Sequence, residues 1–376
     1  MRDPKEVFGK TGIVCPGGGF RGACLPTGFK AVVDREIPIS YLGGTSVASF
    51  MLARLSETSR IDAFDEMRQK IVHMIEIWDR IEKEGPQTVF DFSYRNIRVW
   101  NSEAILPDEK ALFWLAEYFD PVKSINSPIR YDTFVFNETT QMHEVISNHD
   151  QRFRGPSPIF SPDDLRKFQV ASARLGPIFK ALVIGGQSYY DGGFSLLSEA
   201  QKYGCETIFF FCPYPKKYFK PKADGYAERF IEEHLPVMTK TRERYAALLR
   251  NREHCELEML EAHNASAKEI LRRDKKIQKL ESEVENLKEQ FSKDEKILHF
   301  VGKAWEKFLD LPKVLGEIAA QKKSRIGRPI RLIKIWSEPP QTLTVTNFHK
   351  GDFKIARDRF EEMTKRKIDR YLDVKI

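Results

Sequence analysis

The chain has 376 residues, 41% of them hydrophobic and 31% charged, with a formal net charge of +7. That length and apolar content fit one large domain or a domain carrying an insertion, and no apolar run reaches the roughly eighteen residues of a membrane-spanning helix. The charged opening "MRDPKEVFGK" lacks a signal core, and five scattered cysteines (Cys15, Cys24, Cys205, Cys212 and Cys255) suit neither a disulfide framework nor a metal site, so a reducing, cytoplasmic setting is expected.

In chain order, "TGIVC" (11–15) is a short apolar strand followed at once by the glycine turn "GGGFRG". "ACLPTGFKAVVDRE" can continue as a helix if Pro26 sits in its first turn. A second strand, "IPISYLGG", and a second helix, "TSVASFMLARL", follow. Strand, turn, helix, repeated, predicts an α/β layout with a mostly parallel sheet. Between Arg60 and Lys83 the residues Ile61, Phe64, Met67, Ile71, Met74, Ile75, Trp78 and Ile81 recur at helical spacing. Residues 88–120 are aromatic-rich, as a pocket wall or as ordinary core. Strands are expected at "RYDTFVFNETT" and "MHEVIS", and a capped helix at "SPDDLRKFQVASARL". "ALVIGGQSYYDGG" reads as a hairpin through Gly185 and Gly186, and "CETIFFFCPYP" as a buried strand.

Composition then shifts, because no Gly or Pro lies between Pro236 and Gly302. Ile270, Ile277, Val284, Phe291 and Leu298 fall seven apart, with Leu280 and Leu287 in the second seam position and Arg273 and Asp294 interrupting it. The segment either folds back near Asn264 to Ser266 or pairs with a second chain through 236–302. After it, "IRLIKIW" reads as a strand and "DFKIARDRFEEMTKRKIDRYL" as a helix. The expected domains are a core at 1–215, a helical insertion at 216–325 and a core-completing strand and helix at 326–376. Residues 313–376 hold 16 Lys/Arg against 8 Asp/Glu, so this tail carries the whole charge excess. It is either a solvated surface or an attraction to anionic membrane headgroups, and no nucleic-acid partner is expected.

The glycines of the first turn spell G-x-G-x-x-G at Gly17, Gly19 and Gly22. A dinucleotide site also needs an acidic residue at the end of the second strand. "YLGGTS" stands there instead, and Asp34 and Glu36 come too early. A P-loop fails too, since Phe20-Arg21-Gly22-Ala23 follows Gly19. What the second strand ends in is Gly44-Thr45-Ser46-Val47-Ala48, close to the G-x-S-x-G nucleophile elbow, with Ala48 in the place of the last glycine. Successive turns of a parallel sheet share one edge. The N–H groups of 17–22 then stand beside Ser46, ready for an oxyanion. For a base there are two options: His349 with Asp191 in a triad, or Asp191 acting directly from "YYDGG".

Together these elements resemble the patatin-like phospholipases. The resemblance rests on Gly17-Gly18-Gly19-Phe20-Arg21-Gly22, on Gly44 to Ala48, on Asp191-Gly192-Gly193 and on the Ala-Ser run "ASARLGPIF" before the aspartate. It spans about residues 10–215. It implies a patatin-like three-layer fold and a Ser46–Asp191 dyad without histidine. It also implies an oxyanion hole on Gly18 and Gly19 with Phe20, and Arg21 bracing the turn through backbone carbonyls. No metal or cofactor is needed by such chemistry. The implied substrate is a phospholipid or other acyl ester, met by a cytoplasmic enzyme in peripheral contact with a membrane. Two further readings stay open, a lipase or thioesterase on neutral lipids or acyl-thioesters, and an assembly or signalling module acting through the helical insertion. Phe194-Ser195-Leu196-Leu197 departs from the family's usual Asn and Pro after the aspartate.

Overall fold

The structure is a computed structural model that describes residues 2–85, 118–140, 142–154, 157–174, 179–192, 196–213, 330–340, 343 and 348–372. The chain divides into two compact units, residues 1–257 with 331–376, and residues 258–330. Every element below belongs to the first. The aromatic stretch 88–117, the heptad segment within 236–302 and the insertion 216–325 fall outside the described residues, as does Gly193.

The sheet has eight strands: β1 (Thr11–Cys15), β2 (Ile39–Gly44), β3 (Arg130–Asn137), β4 (Met142–Ser147), β5 (Leu182–Ile184), β6 (Gln187–Asp191), β7 (Thr207–Cys212) and β8 (Arg331–Trp336). Their order is β5-β6-β3-β2-β1-β7-β8, with β4 also on β3. β3-β2-β1-β7-β8 is parallel throughout, while β4, β5 and β6 pair antiparallel. The central strands β1, β2 and β7 are buried at every position, as expected of parallel strands covered on both faces.

The helices are α1 (Pro4–Phe8), α2 (Leu25–Val33), α3 (Val47–Ser56), α4 (Phe64–Glu84), α5 (Pro121–Asn126), α6 (Gln151–Arg154), α7 (Pro162–Ser172), α8 (Leu197–Lys202) and α9 (Asp352–Tyr371). On one face of the sheet α2, α4 and α9 pack together. Phe29 of α2 and Phe360 of α9 meet Phe211 of β7 at ring distances of 5.8 and 5.7 Å. α4 buries Met67, Ile71, Met74, Trp78 and Ile81, the stripe its spacing predicts. Each such side chain contributes about 1.5–3 kcal/mol on burial. On the other face the α8 region covers Gly12, Tyr41 and Gly43, with Leu196, Tyr203 and Cys205 against them. The result is helix, sheet and helix in three layers. Among the described residues no helix is long and apolar enough to cross a membrane.

Local chemistry explains the boundaries. Pro26 lies in the first turn of α2, where its missing N–H costs nothing. Ser161 and Asp164 form a capping box that starts α7. Gly185 and Gly186 have φ of 56° and 78°, the two positive values that a tight hairpin between β5 and β6 demands.

β3 organises the site. Along its first half it pairs with β2, Gly44 opposite Thr133, and along its second half with β6, Asp191 opposite Val135. β4 takes the other edge of β3 from Asp132 to Asn137. So β2 and β6 run toward each other along one edge, and their ends stand two β3 residues apart, about 7 Å.

Candidate active site

The elbow forms where β2 stops. Thr45 N–H extends the ladder to the carbonyl of Cys15 at 3.3 Å, and α3 begins at Val47. Between them Ser46 sits at φ 54°, ψ −134°. Among the described residues only Ser46 and Glu36 have positive φ without being glycine. Such a backbone costs on the order of 1–3 kcal/mol and persists only when its surroundings enforce it. Ser46 is the N-cap residue of α3, yet its side chain makes no capping bond. Among the described residues Ser46 Oγ takes part in no hydrogen bond, neither with α3 nor with Asp191. The hydroxyl stands uncommitted at the positive end of a helix. Ala48 is fully buried, and its carbonyl oxygen lies 2.9 Å from where a Cβ on Gly44 would be. Ser49 is a different kind of serine: fully buried, its Oγ meets Tyr131 Oη at 2.6 Å and Thr133 Oγ1 at 2.8 Å.

The glycine turn lies directly against the elbow. A Cβ on Gly17 would fall 2.5 Å from Ser46 Cβ, and one on Gly22 2.6 Å from Val47 Cγ1. Only glycine allows that approach. The turn is a short 3-10 helix, Gly19–Cys24, closed by Arg21 N–H donating to the Gly18 carbonyl at 3.1 Å. The N–H groups of Gly17, Gly18 and Gly19 have no hydrogen-bond acceptor among the described residues. Free backbone donors beside a hydroxyl suit an anion that forms at that hydroxyl. Phe20 is buried edge-on against Phe348, ring centres 4.8 Å apart. Arg21 Nε donates to the carbonyl of Leu343 at 3.2 Å, so the carbonyl it reaches belongs to the C-terminal segment.

Asp191 ends β6, half-buried, with its N–H donating to the carbonyl of Arg174 at 3.0 Å. Gly192 is buried so closely on Phe134 that a Cβ would come within 2.5–2.7 Å of it. Ser172, of the Ala-Ser run, is fully buried; its Oγ accepts the Ser46 N–H at 3.0 Å and donates to the Phe134 carbonyl at 2.8 Å. Its role went unread in the sequence, where the Ala-Ser pair counted only as part of a resemblance. His349, the other base considered, is exposed ahead of α9, its N–H on Asp352 at 2.7 Å.

Beneath the site, Cys15 and Cys24 are buried free thiols. Burial, with Cys24 nearby, pushes the Cys15 thiol up, and burial pushes Cys24 to about 12. Both stay neutral near pH 7, so no thiolate competes for the glycine N–H groups. Among the described residues no three His, Cys, Asp or Glu side chains gather as metal ligands.

A strained serine between strand and helix, flanked by a donor-rich turn on the C-terminal edge of a three-layer sheet, defines an elbow-type α/β protein. Residues 13–197 match the family model described as patatin-like phospholipase. No curated protein matches the chain in sequence. The crystal structure of VipD from Legionella pneumophila is similar at 11% identity and a TM-score of 0.30. The match covers 64% of this chain and 55% of that one, so the chain spans little more than half of VipD's length. Lipid acyl hydrolysis is the general activity that goes with the family.

Proposed function

We propose that the protein is a serine acyl hydrolase that cleaves fatty acyl esters of glycerophospholipids. The observation that carries this reading is the close approach of Gly17 to a strained Ser46, with N–H groups alongside that are unpaired among the described residues. Ser46 Oγ attacks the ester carbonyl and its proton passes to the Asp191 carboxylate. The new oxyanion accepts hydrogen bonds from Gly18 and Gly19, with Phe20 shaping the turn. Asp191 returns the proton to the departing lysolipid alkoxide, which leaves the acyl group on Ser46. Asp191 then deprotonates a water, the water attacks the acyl carbonyl, and the fatty acid is released with Ser46 restored. Asp191 reaches Ser46 Oγ when substrate is bound; catalytic hydrogen bonds commonly tighten only in the Michaelis complex. An ordinary aspartate is a weak base, so the reaction needs Asp191 held against the Ser46 hydroxyl.

Purified Ser46→Ala and Asp191→Asn should each lose phospholipid hydrolysis by more than about a thousandfold while keeping the wild-type melting temperature. Undiminished hydrolysis in either variant sinks the dyad. A panel of phospholipid, triglyceride and acyl-CoA decides the substrate class, with phospholipid expected to be preferred.

The basic C-terminal tail supports peripheral contact with anionic membrane. One of its cations is offset from outside the tail, since Arg357 pairs with Asp79. Binding to anionic vesicles should be weak and lost at high salt; salt-independent binding contradicts an electrostatic origin.

A further inference from the structure

The end of α7 and the turn just after it hold both residues that the proposed reaction needs. Ser172 Oγ accepts the N–H of Ser46 at 3.0 Å, and two residues on, the Arg174 carbonyl accepts the N–H of Asp191 at 3.0 Å. We propose that this segment is the mount that fixes the separation of Ser46 and Asp191, with Ser172 as its positioning residue.

The directions of the bonds favour a mount over simple packing. A serine near the end of a helix commonly bonds back to the carbonyl four residues earlier. Ser172 instead gives its one proton to Phe134 O of β3 at 2.8 Å. That leaves only lone pairs facing Ser46, so the hydroxyl is locked as an acceptor. Phe134 lies between Thr133, opposite Gly44, and Val135, opposite Asp191. One hydroxyl thus ties α7, the elbow and β3 together at the point where β2 and β6 converge. Ser172 is fully buried and Arg174 nearly so, and the Arg174 guanidinium also anchors the chain ahead of β5 through the Lys180 carbonyl at 3.0 Å.

Two consequences follow. The strained φ of Ser46 needs an external constraint, and the hydrogen bond from its own amide to Ser172 supplies one. The Ser46 N–H is also occupied, so it cannot serve the oxyanion, and that task falls to the glycine turn.

This inference rests on the serine hydrolase reading, and its test separates the two. Wild type, Ser46→Ala and Ser172→Ala are compared by phospholipid hydrolysis and by the rate of labelling with a fluorophosphonate serine probe. A misplaced nucleophile costs about 10–100-fold. Ser172→Ala should lose that much in kcat and in labelling rate, with KM within about twofold of wild type. If Ser172→Ala does not fold, Ser172→Cys, close in size with a weaker acceptor, should show the same loss. Labelling that survives Ser46→Ala overturns the hydrolase reading and the mount with it. Labelling lost in Ser46→Ala but at the wild-type rate in a folded Ser172 variant overturns the mount alone.

Discussion

Gly19 and Ser46 stand in adjacent strand-to-helix turns with almost the same φ, 52° and 54°. In the first turn the residue is glycine, which adopts that value at no steric cost. In the second it is serine, held there by neighbours. Among the described residues, the first turn leaves backbone donors unpaired and the second raises a hydroxyl that has no partner. One sheet edge thus carries a relaxed glycine turn and a strained serine, and on the proposed function the strain marks which of the two does chemistry.

Gly17→Ala attacks the contact between the two turns and should have the largest effect. Its Cβ would fall 2.5 Å from Ser46 Cβ, so one of the turns must move. Hydrolysis should drop about 100-fold, most of it in kcat. A fully active Gly17→Ala would break the picture of two touching turns.

Exchanging residue types at the matched φ gives smaller effects of opposite sign. Gly19→Ala should destabilise by about 1 kcal/mol. Ser46→Gly should stabilise by about 1 kcal/mol while inactivating the protein, raising Tm by roughly 2–4 °C. Equal shifts of one sign in thermal melts would show that Ser46 is not strained.

The smallest effect sets charge strain against backbone strain. Asp132 is buried on β3, and burial holds its carboxyl above the usual carboxylate range despite the ion pair with Arg130 at 3.0 Å. A raised folded-state pKa means that its contribution is fully present below the unfolded value of about 4 and fades as pH rises through the folded value. The stability of wild type relative to Asp132→Asn should therefore fall as pH rises above about 4, as read by urea melts. A rising difference contradicts the assignment, and the elbow should be unaffected either way.

Much of this edge was legible in the sequence because its determinants are local. "TGIVC" before the glycines and "IPISYLGG" before Thr45 place both turns after strands, and those strands are β1 and β2. The helix read in "DFKIARDRFEEMTKRKIDRYL" runs over the whole of Asp352–Tyr371. The hairpin at Gly185 and Gly186 follows from two residues tolerant of positive φ. What the sequence hid is long-range. Arg21 reaches the carbonyl of Leu343, 322 residues away, and Phe20 finds Phe348. No period or motif encodes such a meeting. Short helices such as α5 and α6 offer too few turns for an apolar period to register. Ser172 escaped because one hydroxyl at the end of a helix looks ordinary until the chain brings Ser46 to it.

The most direct measurement is mass-spectrometric mapping of a fluorophosphonate adduct on the wild-type protein. The account predicts a single modified residue, Ser46. An adduct on another serine, or none on a folded protein, would contradict it.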